Sequence, residues 1–98
     1  MSDKNGIEFL LTLEDVIASR RSARPDESYT ARLFAAGIPR VAQKVGEEGV
    51  EVALAGVQNK KNELVLEASD LLYHLLVLLH MHELSLADVV REMQARHG

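Results

Sequence analysis

The chain has 98 residues, enough for one small domain with one modest core. Its residues are 47% hydrophobic and 27% charged, which excludes a disordered chain, and the absence of cysteine excludes disulfides, thiolate metal sites and a cysteine nucleophile. A net charge of −4 disfavours general binding to nucleic acid. We therefore expect a single domain over residues 1–98, with a flexible N-terminus at residues 1–11.

The sequence predicts no membrane segment. The N-terminal residues make a poor signal peptide because Glu8 and Glu14 interrupt their apolar patch. The longest apolar run, Leu71–Met81, contains two histidines and is too short to span a bilayer. We therefore expect a cytoplasmic protein without a membrane partner.

Two helices are predicted in the first part of the chain. Thr12, followed three residues later by Asp15, resembles a capping box that opens a helix ending at about Arg21. The segment "SARPDES" is a connector, because proline disfavours helix at the residue before it. Ser28 caps the short helix "YTARLFAA", which Gly37 closes.

Three further helices follow. Pro39 suits the first turn of a helix that runs to about Gln58. After the turn "NKKNE", a long helix covers Asn62–His82, and Ser85 starts a last helix near the C-terminus. Strand signals are weak. The pattern predicts an all-α helical bundle of about five helices.

Three glutamates lie close together in "KVGEEGVEVALA". Lys44, Glu47, Glu48 and Glu51 fall inside one arc of roughly 100° on the predicted helix, and most other positions are apolar or glycine. A helix that is apolar over most of its circumference is buried on several sides. The acidic arc is therefore expected to face a cleft or another helix.

The next long helix repeats this arrangement. Glu63, Glu67, Asp70 and His74 share an arc of about 60° in "ELVLEASDLLYHLLVLLHM". Each of the two helices thus carries a carboxylate pair at i, i+3, which here is Glu67 and Asp70. If the arcs face each other, Glu48 and Glu51 meet the second pair, and four carboxylates converge. Such a site suits a hard divalent cation such as Mg²⁺.

Each of these features also has a plainer interpretation. Acidic residues at i, i+3 are common on solvated helix faces, and a lone His74 is more often a satisfied core histidine than a ligand. Lys44 can simply screen its neighbouring glutamates. Arg20, Arg21 and Arg24 can bind phosphate, or can complement a helix dipole.

Three segments carry a family resemblance. In order and spacing, "SYTARLFAAG", "KVGEEGVEVALA" and "EASDLLYHLLVLL" resemble the phosphoribosyl-ATP pyrophosphatases of histidine biosynthesis, which are related to the MazG-like all-α nucleotide pyrophosphohydrolases. The resemblance covers about Leu13–His97. It implies a dimeric, magnesium-dependent helical bundle that hydrolyses N1-(5-phosphoribosyl)-ATP to N1-(5-phosphoribosyl)-AMP and pyrophosphate.

The resemblance also implies roles for the acidic residues. Glu48, Glu51, Glu67 and Asp70 would be metal ligands, and Glu47 would bind a further ion or orient water. No position of the acidic motif departs from the family pattern.

The expected chemistry adds further candidates. A carboxylate that is not fully committed to metal can take the proton of the attacking water, and cations can stabilise the pyrophosphate leaving group. Thr30 is a candidate for substrate binding, but it can equally have a structural role in the first turn of its helix. The catalytic candidates are Glu47 and Lys44, and the substrate-binding candidates are Arg20, Arg24, Tyr29, Thr30 and Lys44.

The sequence also predicts protein partners and allows two other functions. The leucine-dense Leu71–Met81 segment predicts a homodimer or a higher homo-oligomer, because one chain cannot cover its apolar surface. In some relatives the domain is fused behind the cyclohydrolase of the next step, and we expect a separate cyclohydrolase here. The alternative functions are a housekeeping pyrophosphatase for non-standard nucleoside triphosphates and a non-catalytic dimerising module.

Overall fold

The computed structural model describes residues 4–98, and every regular element in that range is helical. A helical turn at Lys4–Ile7 precedes the first long helix, and a 3₁₀ turn at Pro25–Glu27 precedes the second. The prediction of an all-α fold with five main helices is confirmed for the described residues. The helices are α1 (Phe9–Arg20), α2 (Tyr29–Ala36), α3 (Ile38–Val57), α4 (Lys61–Met81) and α5 (Leu86–His97).

Helix α1 begins earlier than predicted. It starts at Phe9, so Thr12 and Asp15 lie inside the helix and do not cap it. Leu10 and Leu13 pack against the core, and this packing extends the helix beyond the local start signal. Of the segment expected to be flexible, residues 1–3 lie outside the described residues, whereas residues from 4 onward are largely helical.

The other helix boundaries agree with the sequence signals. The Ser28 hydroxyl accepts a hydrogen bond from the backbone N–H of Ala31 at 3.3 Å, which caps α2. Gly37 ends that helix with a φ of 96°, a conformation that side-chain-bearing residues rarely adopt. At the start of α5, the backbone N–H of Ser85 donates to the Asp88 carboxylate at 2.8 Å.

Helices α3 and α4 form the central hairpin. The connection at residues 58–60 is short, so the helices run antiparallel, and their mutual contact is the most extensive in the chain. Helices α1 and α2 pack against this hairpin. The fully buried apolar residues of the core cluster come from all four helices and are Ile17, Leu33, Val41, Leu76 and Val77.

Helix α3 is less buried than its sequence predicts. Val41 and Ala55 are buried, but Val50, Leu54 and Val57 are 59%, 53% and 87% exposed. The expectation of burial on several sides is therefore wrong for the single chain. The reason is that five helices of this size supply too few layers to cover an almost wholly apolar helix.

By length and composition alone, α4 is long and apolar enough to cross a membrane. The apolar run Leu71–Met81 is only its second half, so the helix is longer than the run considered in the sequence. In this fold α4 contributes Leu76 and Val77 to the core, and its first half carries Glu67 and Asp70. These contacts and charges describe the central helix of a bundle.

Candidate metal and nucleotide site

The four predicted carboxylates lie together on the α3–α4 hairpin. The Glu67 and Glu51 side chains line the same pocket, and Glu48 and Asp70 are close enough to act on Glu67 electrostatically. The side chain of Glu51 raises the pKa of Glu67, and desolvation and the three neighbouring carboxylates raise it further. Acidic side chains from two helices thus share one region, as the spacing predicted.

The cluster is not in ligation geometry as it stands. Among the described residues, no three histidine, aspartate or glutamate side chains are arranged to hold a metal ion. The neighbouring Glu51 and the other carboxylates favour the protonated form of Glu67 instead, which is the direction of its raised pKa. An all-oxygen, strongly acidic donor set still suits a hard cation, which would offset the same charges.

A buried histidine extends the cluster toward α2. His74 is 5% exposed, and its Nδ1 lies 2.6 Å from Oε1 of Glu48 and 3.0 Å from the backbone oxygen of Asp70. Its Nε2 lies 3.1 Å from the hydroxyl of Tyr29. The sequence pattern favours a core histidine at this position. The signal for its contact with the cluster is the helical arc that His74 shares with Glu67 and Asp70.

Two of the predicted substrate-binding residues, Tyr29 and Thr30, have partners on α4. Thr30 is buried, and its hydroxyl is hydrogen-bonded to that of Tyr73. The rings of Tyr29 and Tyr73 stack with their centroids 6.2 Å apart. Burial raises the pKa of Tyr73, so its hydroxyl keeps its proton. The start of α2 is therefore fixed against the same turn of α4 that carries His74.

The predicted arginines lie at the end of α1 and in the loop after it. Arg20 is the last residue of α1 and is exposed. Arg24 forms ion pairs with Asp26 at 2.8 Å and with Glu27 at 3.3 Å. The Arg24 hydrogen bond lowers the pKa of the Asp26 carboxyl. Both substrate-binding roles stay predictions.

Lys44 and Glu47 lie on α3, close in sequence to the clustered glutamates. Glu47 is exposed and accepts a hydrogen bond from the side-chain amide of Gln43 at 2.9 Å. Lys44 is half-buried. Their catalytic roles also stay predictions.

Comparison with known proteins identifies the family. Residues 10–97 match the family described as phosphoribosyl-ATP pyrophosphohydrolase. The chain belongs to this family. The resemblance stated from the sequence is confirmed, and with it the enzyme class.

Several curated relatives of the chain are bifunctional proteins by name. A histidine biosynthesis bifunctional protein HisIE from Shewanella oneidensis is 57% identical over 95 residues, which is 97% of this chain and 45% of the relative. The protein of the same name from Photobacterium profundum is 54% identical over 96 residues, which is 98% of this chain and 46% of the relative. The chain spans about half the length of the curated relatives it matches.

Proposed function

We propose that this chain hydrolyses phosphoribosyl-ATP to phosphoribosyl-AMP and pyrophosphate in the cytoplasm, as a step of histidine biosynthesis. Family membership supports the reaction, and the names of the relatives support the pathway. The structural observation that carries the proposal is the grouping of four carboxylates on one hairpin, where Glu51 and Glu67 line the same pocket and Glu48 and Asp70 act on Glu67 electrostatically. Such a concentration of carboxylates is costly without a compensating charge.

The four clustered acids are the proposed magnesium ligands. A bound Mg²⁺ would neutralise triphosphate charge and supply Lewis acidity. The chain itself contributes oxygen donors from two helices whose spacing is fixed by the short α3–α4 connection. Glu67 and Glu51 would offer carboxylate oxygens to the cation, whose charge would offset the repulsion that raises the pKa of Glu67.

Glu47 is the proposed base, and Lys44 the proposed leaving-group cation. Glu47 is exposed, and the hydrogen bond that it accepts from Gln43 comes from a neutral amide. Its carboxylate is therefore suited to take the proton of water. Lys44 lies one helical turn before Glu48, within reach of a substrate at the cluster. Its charge would stabilise the pyrophosphate as that group becomes more anionic.

The proposed contacts to the rest of the substrate are Tyr29, Thr30, Arg20 and Arg24. Tyr29 is 43% exposed and is hydrogen-bonded to His74, so it borders both solvent and the acidic cluster. Arg24 would have to exchange its partners Asp26 and Glu27 for phosphate. The product, which keeps an intact purine ring, is the substrate of a cyclohydrolase in this proposal.

The functional form is proposed to be a homodimer. The chain exposes 6914 Å² of surface, whereas a compact monomer of this mass exposes about 5,600 Å². The difference of about 1,300 Å² is ample for one side of a stable dimer interface. An apolar groove of ≈ 610 Å³ between α1 and α4 is lined by Phe9, Leu13, Val65 and Leu72, and it also includes Asp70 of the cluster.

A second copy of the chain is the proposed occupant of that groove. Light scattering after size-exclusion chromatography should then give twice the chain mass of 10.9 kDa. Leu72→Asp should yield monomers, because it places a charge in the buried interface. Leu84→Asp is the matched control, since Leu84 is similarly exposed but lies in the loop after α4. A wild-type monomer would contradict the dimer.

The reaction is tested by pyrophosphate release. Phosphoribosyl-ATP and a panel of ordinary and deoxynucleoside triphosphates are compared, each with and without magnesium. We expect magnesium-dependent release from phosphoribosyl-ATP alone, with phosphoribosyl-AMP as the second product. Release mainly from the panel would indicate a housekeeping pyrophosphatase, and no release from any substrate would indicate a non-catalytic module.

A further inference from the structure

We propose that His74 is a positioning residue that orients the Glu48 carboxylate toward the metal ion, and that Tyr29 in turn orients His74. The inference rests on the proposed function, because it assigns work to a residue beside the proposed magnesium ligands. His74 is not proposed as a metal ligand, because both of its ring nitrogens already have hydrogen-bond partners.

The hydrogen bonds fix which ring nitrogen is the donor. Nδ1 of His74 faces two acceptors, Oε1 of Glu48 at 2.6 Å and the backbone oxygen of Asp70 at 3.0 Å. Nδ1 therefore carries a hydrogen and donates it, and in the neutral ring Nε2 is the acceptor. The Tyr29 hydroxyl, 3.1 Å from Nε2, is then the donor to the ring.

This chain of contacts acts on Glu48 through one of its oxygens. The Nδ1–H bond engages Oε1, so Oε2 is the oxygen that can be offered to a cation. The Glu48 side chain is only 13% exposed and the imidazole is 6% exposed, so water competes weakly for this bond. Carboxylate ligands are commonly held in this way by an outer partner.

A second contact holds the imidazole against its own helix. His74 lies one turn after Asp70 on α4, and its contact with the Asp70 backbone oxygen fixes the ring against that turn. The imidazole thus links α3, α4 and the start of α2 through Glu48, Asp70 and Tyr29. Tyr73 contacts it edge-on, with ring centroids 5.0 Å apart, and limits its rotation.

The direct test is metal affinity measured without substrate. Mn²⁺ is titrated into the apo protein, and free Mn²⁺ is quantified by electron paramagnetic resonance. His74→Leu removes the donor at similar volume and should raise the Mn²⁺ Kd by about 10- to 100-fold. His74→Asn should stay within a few-fold of wild type, because its amide nitrogen is as many bonds from Cα as Nδ1 is.

The matched control is the other histidine of α4 that is bonded to a glutamate. His80→Leu removes the bond from Nε2 to Glu14, which is 3.1 Å long and belongs to a pair outside the acidic cluster. We expect it to lower the melting temperature without changing the Mn²⁺ Kd. Activity of His74→Leu should recover at saturating magnesium, a rescue that misfolding would not allow.

Tyr29→Phe keeps the proposal testable if the His74 variants do not fold. Tyr29 is 43% exposed, so loss of its hydroxyl should leave the fold intact while raising the Mn²⁺ Kd by about 2- to 5-fold. An unchanged Kd in a folded His74→Leu, or an equal rise in His80→Leu, would overturn the positioning role alone. If wild type itself bound no Mn²⁺, the proposed function would fall as well.

Discussion

Helix α4 carries two histidines six residues apart, and each is hydrogen-bonded to a glutamate of another helix. His74 contacts Glu48 of α3 at 2.6 Å, and His80 contacts Glu14 of α1 at 3.1 Å. In both pairs the glutamate side chain is largely buried, at 13% and 9% exposure. The residue types are the same, but the surroundings of the two carboxylates differ.

Glu14 is surrounded by donors. Its Oε2 accepts from His80 and also from the backbone N–H of Leu86 at 2.8 Å, at the first residue of α5. It therefore ties α1 to α4 and to the start of α5, and it satisfies a backbone donor at a helix N-terminus. This pair serves the fold.

Glu48 has further carboxylates as neighbours. Its charge is one of those that raise the pKa of Glu67, together with the charges of Glu51 and Asp70. A single histidine cannot offset that concentration of charge. The comparison shows that the function of a His–Glu pair is set by what else the carboxylate meets. If this is so, changes near Glu48 should affect metal binding and catalysis, whereas changes at Glu14 should affect stability.

The largest expected effect is on catalysis, at Glu51. Glu51→Gln keeps the shape of the side chain and removes its charge, so pyrophosphate release should fall by about 1,000-fold or more. Asp70→Asn should behave similarly. Both variants should retain wild-type helicity by circular dichroism, because relief of repulsion costs the fold little.

Glu92→Gln is the control for this experiment. Glu92 is an exposed acid of α5 that pairs with Arg96 at 2.7 Å, away from the hairpin. Its loss should leave turnover near the wild-type rate. Near-normal activity in Glu51→Gln would contradict the four-carboxylate site.

The next effect is on stability, at Glu14. Glu14→Leu leaves the backbone N–H of Leu86 and the ring of His80 without their acceptor, which should lower the free energy of unfolding by about 3 kcal/mol. Urea denaturation measures this change, and Glu14→Gln, which keeps one acceptor oxygen, should lose less. The Mn²⁺ Kd of the folded Glu14→Leu protein should not change. A weakened metal affinity would remove the distinction between the two pairs.

The sequence predicted the acidic cluster around Glu48 better than it predicted the contacts of Glu14. The acidic cluster follows from helical periodicity and from one short connection, which are local features that a sequence displays directly. Glu48, Glu51, Glu67 and Asp70 were therefore found together. Glu14 joins residues 66 and 72 positions away, and no local pattern signals such contacts.

The same reasoning explains the other differences. Thr12 carried a start signal for α1, but packing of Leu10 and Leu13 on the core extended the helix to Phe9. The hydrogen bond between His74 and Glu48 depends on how α4 is rotated about its axis against α3. Apolar periodicity indicates which face of α4 meets α3, but it does not fix that rotation closely enough to pair two side chains. Helix type and order are thus predictable here, whereas side-chain partners across helices are not.

A third prediction concerns metal addition at fixed protein concentration. Magnesium at 100 times its Kd should stabilise the folded protein by about 2.7 kcal/mol, because it binds only the folded state. For a domain of this size, that raises the melting temperature by roughly 10–20 °C, and chelation should reverse it. Glu51→Gln should lose most of the shift, whereas Glu14→Gln should keep it. An equal shift in both variants would mean that the ion binds elsewhere.

The smallest effect is expected at Asp88, in the turn of α5 that Glu14 also stabilises. The backbone N–H of Ser85 donates to the Asp88 carboxylate, which lowers the pKa of Asp88, and the charge of Arg91 lowers it further. Because the folded-state pKa lies below the unfolded value, the carboxylate stabilises the helix above about pH 4, and this contribution is lost as the pH falls through the folded-state pKa. Asp88→Asn should therefore be slightly less helical than wild type by circular dichroism at pH 6, and the difference should shrink toward zero as the pH falls through the folded-state pKa of Asp88. A difference that stayed constant over this range would mean that Asp88 acts through its shape and not its charge, and that Glu14 alone provides the negative charge at the start of α5.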